Sequence, residues 1–134
     1  MKPEQAFWKL LKDHIPGDKE RIENMAGEGI PDVTAAYNGV DFWIELKVCT
    51  NKKKEVDPVT LCRDTQLIWH TRRGRHGSLI FVIVRYHFAI ILYQWVKYAV
   101  YEKVVFVKYS GNGYDWGILE SALHTIFINR KGEF

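Results

Sequence analysis

Two short segments of this chain carry residues whose types and spacing can do chemistry: Gly29-Ile30-Pro31-Asp32-Val33 and Trp43-Ile44-Glu45-Leu46-Lys47. Between them lies Asn38-Gly39, a dipeptide suited to a two-residue type I′ turn because both positions tolerate positive φ. With Tyr37 opposite Val40 across that turn, counting outward along both strands sets Asp32 opposite Glu45. Cross-strand partners hold their Cβ atoms ~5 Å apart and side chains alternate between faces, so Asp32, Glu45 and Lys47 share one side. The other side carries Val33, Ala35, Tyr37, Val40, Phe42, Ile44 and Leu46, every one apolar or aromatic. A slip of one residue would exchange the two sets, so their clean separation supports the register.

Two carboxylates held this close repel each other unless a proton or a cation lies between them, and hard divalent ions such as Mg²⁺ prefer oxygen ligands. A metal site is the economical reading. Such an ion can polarise a phosphodiester and lower the pKa of a bound water. Lys47 can then orient that water or stabilise charge developing at phosphorus. The plainer alternative is an acid–lysine ion pair on a solvated strand, which is common and worth little energy. It leaves unexplained why the three charged groups share a face opposite an unbroken apolar one.

The elements that must position these residues follow from periodicity. Phe7, Leu10 and Leu11 recur at helical spacing until Pro16-Gly17, predicting a first helix over about residues 3 to 14. Two antiparallel strands follow within Val33 to Val48. Thr50 to Pro58 is lysine-bearing, lacks apolar periodicity and reads as a mobile loop. A helix is expected from about Asp64 to Arg73, stopped at Gly74. Leu79 to Arg85 and Ala89 to Gln94 are β-branched and aromatic-rich, consistent with buried strands, and Val96 to Tyr109 reads as one or two more. Ile118, Leu119, Ala122, Leu123, Ile126 and Phe127 predict a terminal helix packed on the sheet. The order is α/β. With 134 residues, 47% of them hydrophobic, and no repeat or linker, one domain over residues 1–134 is expected.

The net charge of +3 says little, but basic residues concentrate in Lys52-Lys53-Lys54 and Arg72-Arg73-Gly74-Arg75-His76. Such runs suit a phosphate backbone, or else are simply solvated loops. Cys49 and Cys62 complete no zinc pattern and read as free thiols in a reducing compartment. The polar N-terminus lacks a secretory pattern, and the apolar run Leu79 to Val84 is far short of the ~20 residues that span a bilayer. A cytoplasmic protein with no membrane partner is therefore expected.

Pro31-Asp32 followed by Glu45-Leu46-Lys47 resembles the bipartite motif of the PD-(D/E)xK nuclease superfamily. That resemblance implies a restriction-endonuclease-like fold, a central mixed β-sheet flanked by helices with the active site on an antiparallel hairpin. It also implies Mg²⁺ or Mn²⁺ held by Asp32, Glu45 and the backbone carbonyl of Leu46, with Lys47 assisting the nucleophilic water. Many members carry an acid on the preceding helix, which matches Glu4, and some a glutamine on the following helix, which matches Gln66. Arg21, ahead of the motif, is a candidate phosphate contact, with Lys52, Lys53, Lys54, Arg72, Arg73 and Arg75. Trp43 faces the site, whereas Tyr37 belongs to the core face and Trp69 reads as core more than as a base-stacking ring. The five histidines form no spaced ligand set and read as structural, although His70 lies one turn after Gln66.

The small size and the order of helix, acidic hairpin, basic loop and Gln-bearing helix are most similar to Holliday junction resolvases. That similarity implies a homodimer placing two sites on branched DNA, with the surface around Phe88 to Val107 as a candidate interface. The alternatives are a repair or restriction-type nuclease acting on linear or single-stranded DNA, and a catalytically idle nucleic-acid-binding subunit of the same fold.

Overall fold

In the computed structural model the described residues are 2–22, 29–50 and 56–132. Helix α1 (Pro3–Leu11) starts on a proline, the residue best tolerated in a helix's first turn, and continues as a 3₁₀ turn over Lys12–His14. Strand β1 (Asp18–Arg21) pairs antiparallel with β2 (Val33–Tyr37), which turns through Asn38-Gly39 into β3 (Val40–Cys49). Asn38 (φ 51°) and Gly39 (φ 83°) both lie in the left-handed region, as a type I′ turn requires. Val33 pairs with Ile44 and Tyr37 with Val40, which is the expected register.

The short helix α2 (Pro58–Leu61) and α3 (Asp64–Gly74) then carry the chain to β4 (Leu79–Tyr86), which lies parallel to β3. Antiparallel strands β5 (Ala89–Lys97), β6 (Val100–Ser110) and β7 (Gly113–Tyr114) complete a mixed sheet that, among the described residues, has seven strands in sequence order. Helix α4 (Trp116–Gly132) closes the chain. The α/β fold class is as expected. Val96 to Tyr109 proves to be the end of β5, a turn with Ala99 at φ 57°, and β6.

The two faces of the sheet are covered separately. Phe7 and Leu11 of α1, and Leu119, Leu123 and Phe127 of α4, pack on one face against Val33, Phe42, Ile44 and Leu46. The predicted apolar face of the hairpin is therefore the main core. On the other face Leu67 of α3 and Cys62 cover Val82, Val84, Ile91 and Tyr93. Strand β4 contributes to both clusters and is buried along Leu79 to Val84, as expected of a parallel strand with both faces covered.

Three points differ from or extend the sequence expectations. Of the predicted loop from Thr50 to Pro58, residues 51–55 lie outside the described residues, and its last residue, Pro58, opens α2, capped by the Asp57 side chain, which accepts from the Val59 N–H at 3.0 Å. Strand β1 was not foreseen, because Asp18-Lys19-Glu20-Arg21 has no apolar alternation. It is a charged edge strand held by backbone pairing to β2, the composition that protects an edge from further pairing. Val107, expected at a candidate interface, is fully buried, whereas Phe88 and Phe106 of the same stretch are exposed.

Candidate active site

Asp32 sits one residue before β2, beyond the last paired position of the hairpin, and its orientation is set by β3. Its Oδ2 accepts a hydrogen bond from the Leu46 backbone N–H at 2.7 Å. That contact turns Asp32 toward Glu45, which is 1% exposed at the centre of β3 and packed beneath α3. Lys47, two residues on along the same face, places Nζ 4.0 Å from Glu45 Oε2. The three residues expected to converge do so.

Gln66 joins them from the first turn of α3. Its Oε1 accepts from Lys47 Nζ at 2.8 Å and from the Arg63 backbone N–H at 2.8 Å, so one buried amide both caps the helix and fixes the lysine head. Gly29 sets the distance between α3 and the loop leading to Asp32. It adopts φ +74°, and a Cβ there would fall 2.1 Å from the Thr65 carbonyl oxygen. Gly29→Ala is therefore expected to destabilise the fold by about 2 kcal/mol or more, measured by denaturant unfolding. Gly39, in the hairpin turn, has open space around its missing Cβ, so Gly39→Ala meets only the backbone preference and should cost less.

The electrostatics follow from burial. Loss of solvent, and then the neighbouring Glu45, push the Asp32 carboxyl up to about 7; the Leu46 N–H and Lys47 only partly offset this. Burial also raises Glu45, against the hydrogen bond from Asp32 and the positive charges of Lys47 and Arg63. The two carboxyls titrate as a coupled pair, both held toward the protonated form by burial. Because the folded Asp32 binds its proton more tightly than the unfolded chain does, its contribution to stability is full below the ordinary value of 3.8. That contribution is lost as pH rises through about 7. In chelator-treated protein, Asp32→Asn is expected to raise the melting temperature at pH 8 and change it little at pH 4, as read from paired melts. His70 bears on stability in the opposite sense, since burial lowers it to about 4, but it is common to both proteins in the comparison.

Glu4 adds a weaker negative influence on Glu45 from α1, while its backbone carbonyl accepts from Arg21 Nη1 at 3.3 Å. Arg21 is thus committed in part to α1. Arg72, Arg73 and Arg75 are exposed at the other end of α3, with Arg73 stacked 5.1 Å over the Trp69 ring. Arg72 and Arg73 line a depression with Ile30, two residues before Asp32. Trp69 is 2% exposed and meets Trp43 edge to face at 4.9 Å, so it is core and not a stacking platform. Lys52, Lys53 and Lys54 lie outside the described residues.

The groups behind the carboxylates belong to no motif of the sequence. His70 is fully buried on α3, with Nε2 3.7 Å from Glu45 Oε1 and Nδ1 2.6 Å from the Tyr101 hydroxyl. Its spacing of four from Gln66 put it on the Gln66 face of the helix, and that was the available signal. Nothing local marked Tyr101, which reaches the site from β6. Cys62 is also close, its thiol pushed up to about 12 by burial and by Glu45, and neither cysteine is in a disulfide.

One feature suits a hard divalent cation here: two neighbouring, buried carboxyl groups, each held above its ordinary range by loss of solvent, which a cation between them would relieve. Among the described residues no three His, Cys, Asp or Glu side chains form a ligand group. The residues able to hold the ion are Asp32, Glu45 and the Leu46 carbonyl, a sparse set that fits Mg²⁺, which keeps several waters. The cleft lined by His14, Tyr37, Glu120 and His124 contains none of these residues.

No family model and no curated protein matches the chain. Among solved structures it is similar to Hjc, a Holliday junction resolvase of the archaeal hyperthermophile Archaeoglobus fulgidus. Identity is 17% over 68% of this chain and 73% of that one, with a TM-score of 0.43. No helix among the described residues is long and apolar enough to cross a membrane.

Proposed function

We propose that this chain is a Mg²⁺- or Mn²⁺-dependent endodeoxyribonuclease of the PD-(D/E)xK type that hydrolyses DNA phosphodiesters, acting as a homodimer on four-way junctions. The observation that carries the reading is the convergence of Asp32, Glu45 and Lys47 on one face of the β2–β3 hairpin, with Lys47 Nζ held by Gln66. A divalent cation bound by Asp32, Glu45 and the Leu46 carbonyl supplies Lewis acidity and charge for phosphodiester hydrolysis. The Leu46 N–H holds Asp32 in place. Gln66 keeps the Lys47 ammonium aimed beside the carboxylates, where it orients the attacking water or steadies negative charge developing at phosphorus. Helix α3, packed over Glu45, keeps bulk water from the inner side of the site, so these charges act at low dielectric. Arg72, Arg73 and Arg75, together with the Lys52 to Lys54 run, supply charge for the DNA backbone.

The test is cleavage of labelled four-way junction, duplex and single-stranded DNA with Mg²⁺, with Mn²⁺ and with chelator, using Asp32→Ala and Glu45→Ala as controls. Paired metal-dependent nicks on the junction, lost in both variants, are expected. Cutting of linear or single-stranded DNA instead would keep the active site and remove the junction assignment. Absence of cutting on every substrate would make the chain a binding subunit of the same fold.

A further inference from the structure

Behind Glu45 stands a second line of polar groups that the motif does not contain. Among the described residues, Glu45 Oε1 and His70 Nε2 are both buried without a hydrogen-bond partner, and they lie 3.7 Å apart. The separation is slightly beyond a hydrogen bond, and a few tenths of an ångström of approach would form one. Two orphan polar atoms in one dry interior are costly unless they satisfy each other. On its far side the ring meets the Tyr101 hydroxyl at 2.6 Å.

We propose that His70 is a positioning residue for Glu45, with its tautomer set by Tyr101. A neutral imidazole has one donor and one acceptor nitrogen. If the Tyr101 O–H donates to Nδ1, the ring's proton must sit on Nε2, the atom that faces Glu45 Oε1. Nε2–H then engages Oε1 and leaves Oε2 for the cation, beside Lys47. Each partner comes from a different element: Glu45 from β3, His70 from α3 and Tyr101 from β6. The ring also touches Trp69, edge to face, and Trp69 meets Trp43 in turn, so His70 has little freedom to turn away. Supporting partners of this kind orient a ligating carboxylate, and losing one typically weakens metal binding ~10- to 100-fold.

The inference rests on the metal-site reading above, and two measurements separate them. The first needs no metal: long-range ¹H–¹⁵N correlation spectra of the chelator-treated protein report which ring nitrogen of His70 carries the proton. Protonation on Nε2 alone is expected, with Tyr101→Phe allowing a mixture of tautomers. A proton on Nδ1, alone or in addition, overturns the inference. The second is Mn²⁺ binding followed by calorimetry. His70→Leu is expected to bind at least ~10-fold more weakly than the unmutated protein, and His70→Gln, whose amide N–H can take the place of Nε2–H, to recover most of that loss. Equal affinity in all three overturns the inference alone. Failure of the unmutated protein to take up Mn²⁺ overturns the metal site and this role with it.

Discussion

Lys47→Ala is expected to slow metal-dependent DNA cleavage by ~10²- to 10⁴-fold while leaving Mn²⁺ affinity undiminished. The two readouts diverge because the ammonium lies beside the proposed ligands without being one of them. Its Nζ is 4.0 Å from Glu45 Oε2 and is held at 2.8 Å by Gln66. Removing a positive charge next to a cation site relieves repulsion, so binding should hold or tighten even as the rate falls. Glu45→Gln should behave differently, losing both rate and affinity, because it removes the charge of a proposed ligand that is almost wholly buried. Single-turnover cleavage and Mn²⁺ calorimetry on both variants make the comparison. A Lys47→Ala protein that cut at the unmutated rate would remove this lysine from the reaction. Parallel loss of affinity in both variants would make Lys47 a structural support for the carboxylates instead.

The largest expected effect on stability lies on the opposite face of the same strand. Phe42 is fully buried, packs edge-on against Phe81 at 6.0 Å and lies 4.8 Å from the Phe127 ring of α4. It therefore joins β3, β4 and α4 at one point. Phe42→Ala should cost about 3–5 kcal/mol, from lost burial plus the cavity left among neighbours that cannot collapse. On α4, Ile128 is 54% exposed, and Ile128→Ala should stay within about 0.5 kcal/mol. Urea unfolding of both variants checks the contrast. An equal small effect at both positions would mean that α4 does not pack on the sheet through Phe127.

These two residues of β3 illustrate how closely the site depends on register. Phe42 and Lys47 lie on opposite faces of one strand, and pairing fixes Val33 opposite Ile44. A one-residue slip would bury the charges and expose the ring. The core that holds Phe42 in place therefore also keeps Glu45 and Lys47 on the α3 side.

By itself the sequence determined the hairpin, its register and the meeting of Asp32, Glu45 and Lys47, because turn chemistry and two-residue alternation are local properties. Helix α3 and the glutamine on its first turn were also legible, from helical spacing and the Gly74 stop. Only the tertiary structure decided that β4 runs parallel to β3, that a charged segment forms edge strand β1, and that α3 lies over Glu45. The same holds for His70 and Tyr101, which are 31 residues apart and meet because Tyr101 of β6 lies on the sheet face that α3 covers. Contacts of that range depend on strand order and helix packing, and no local period of the chain encodes either.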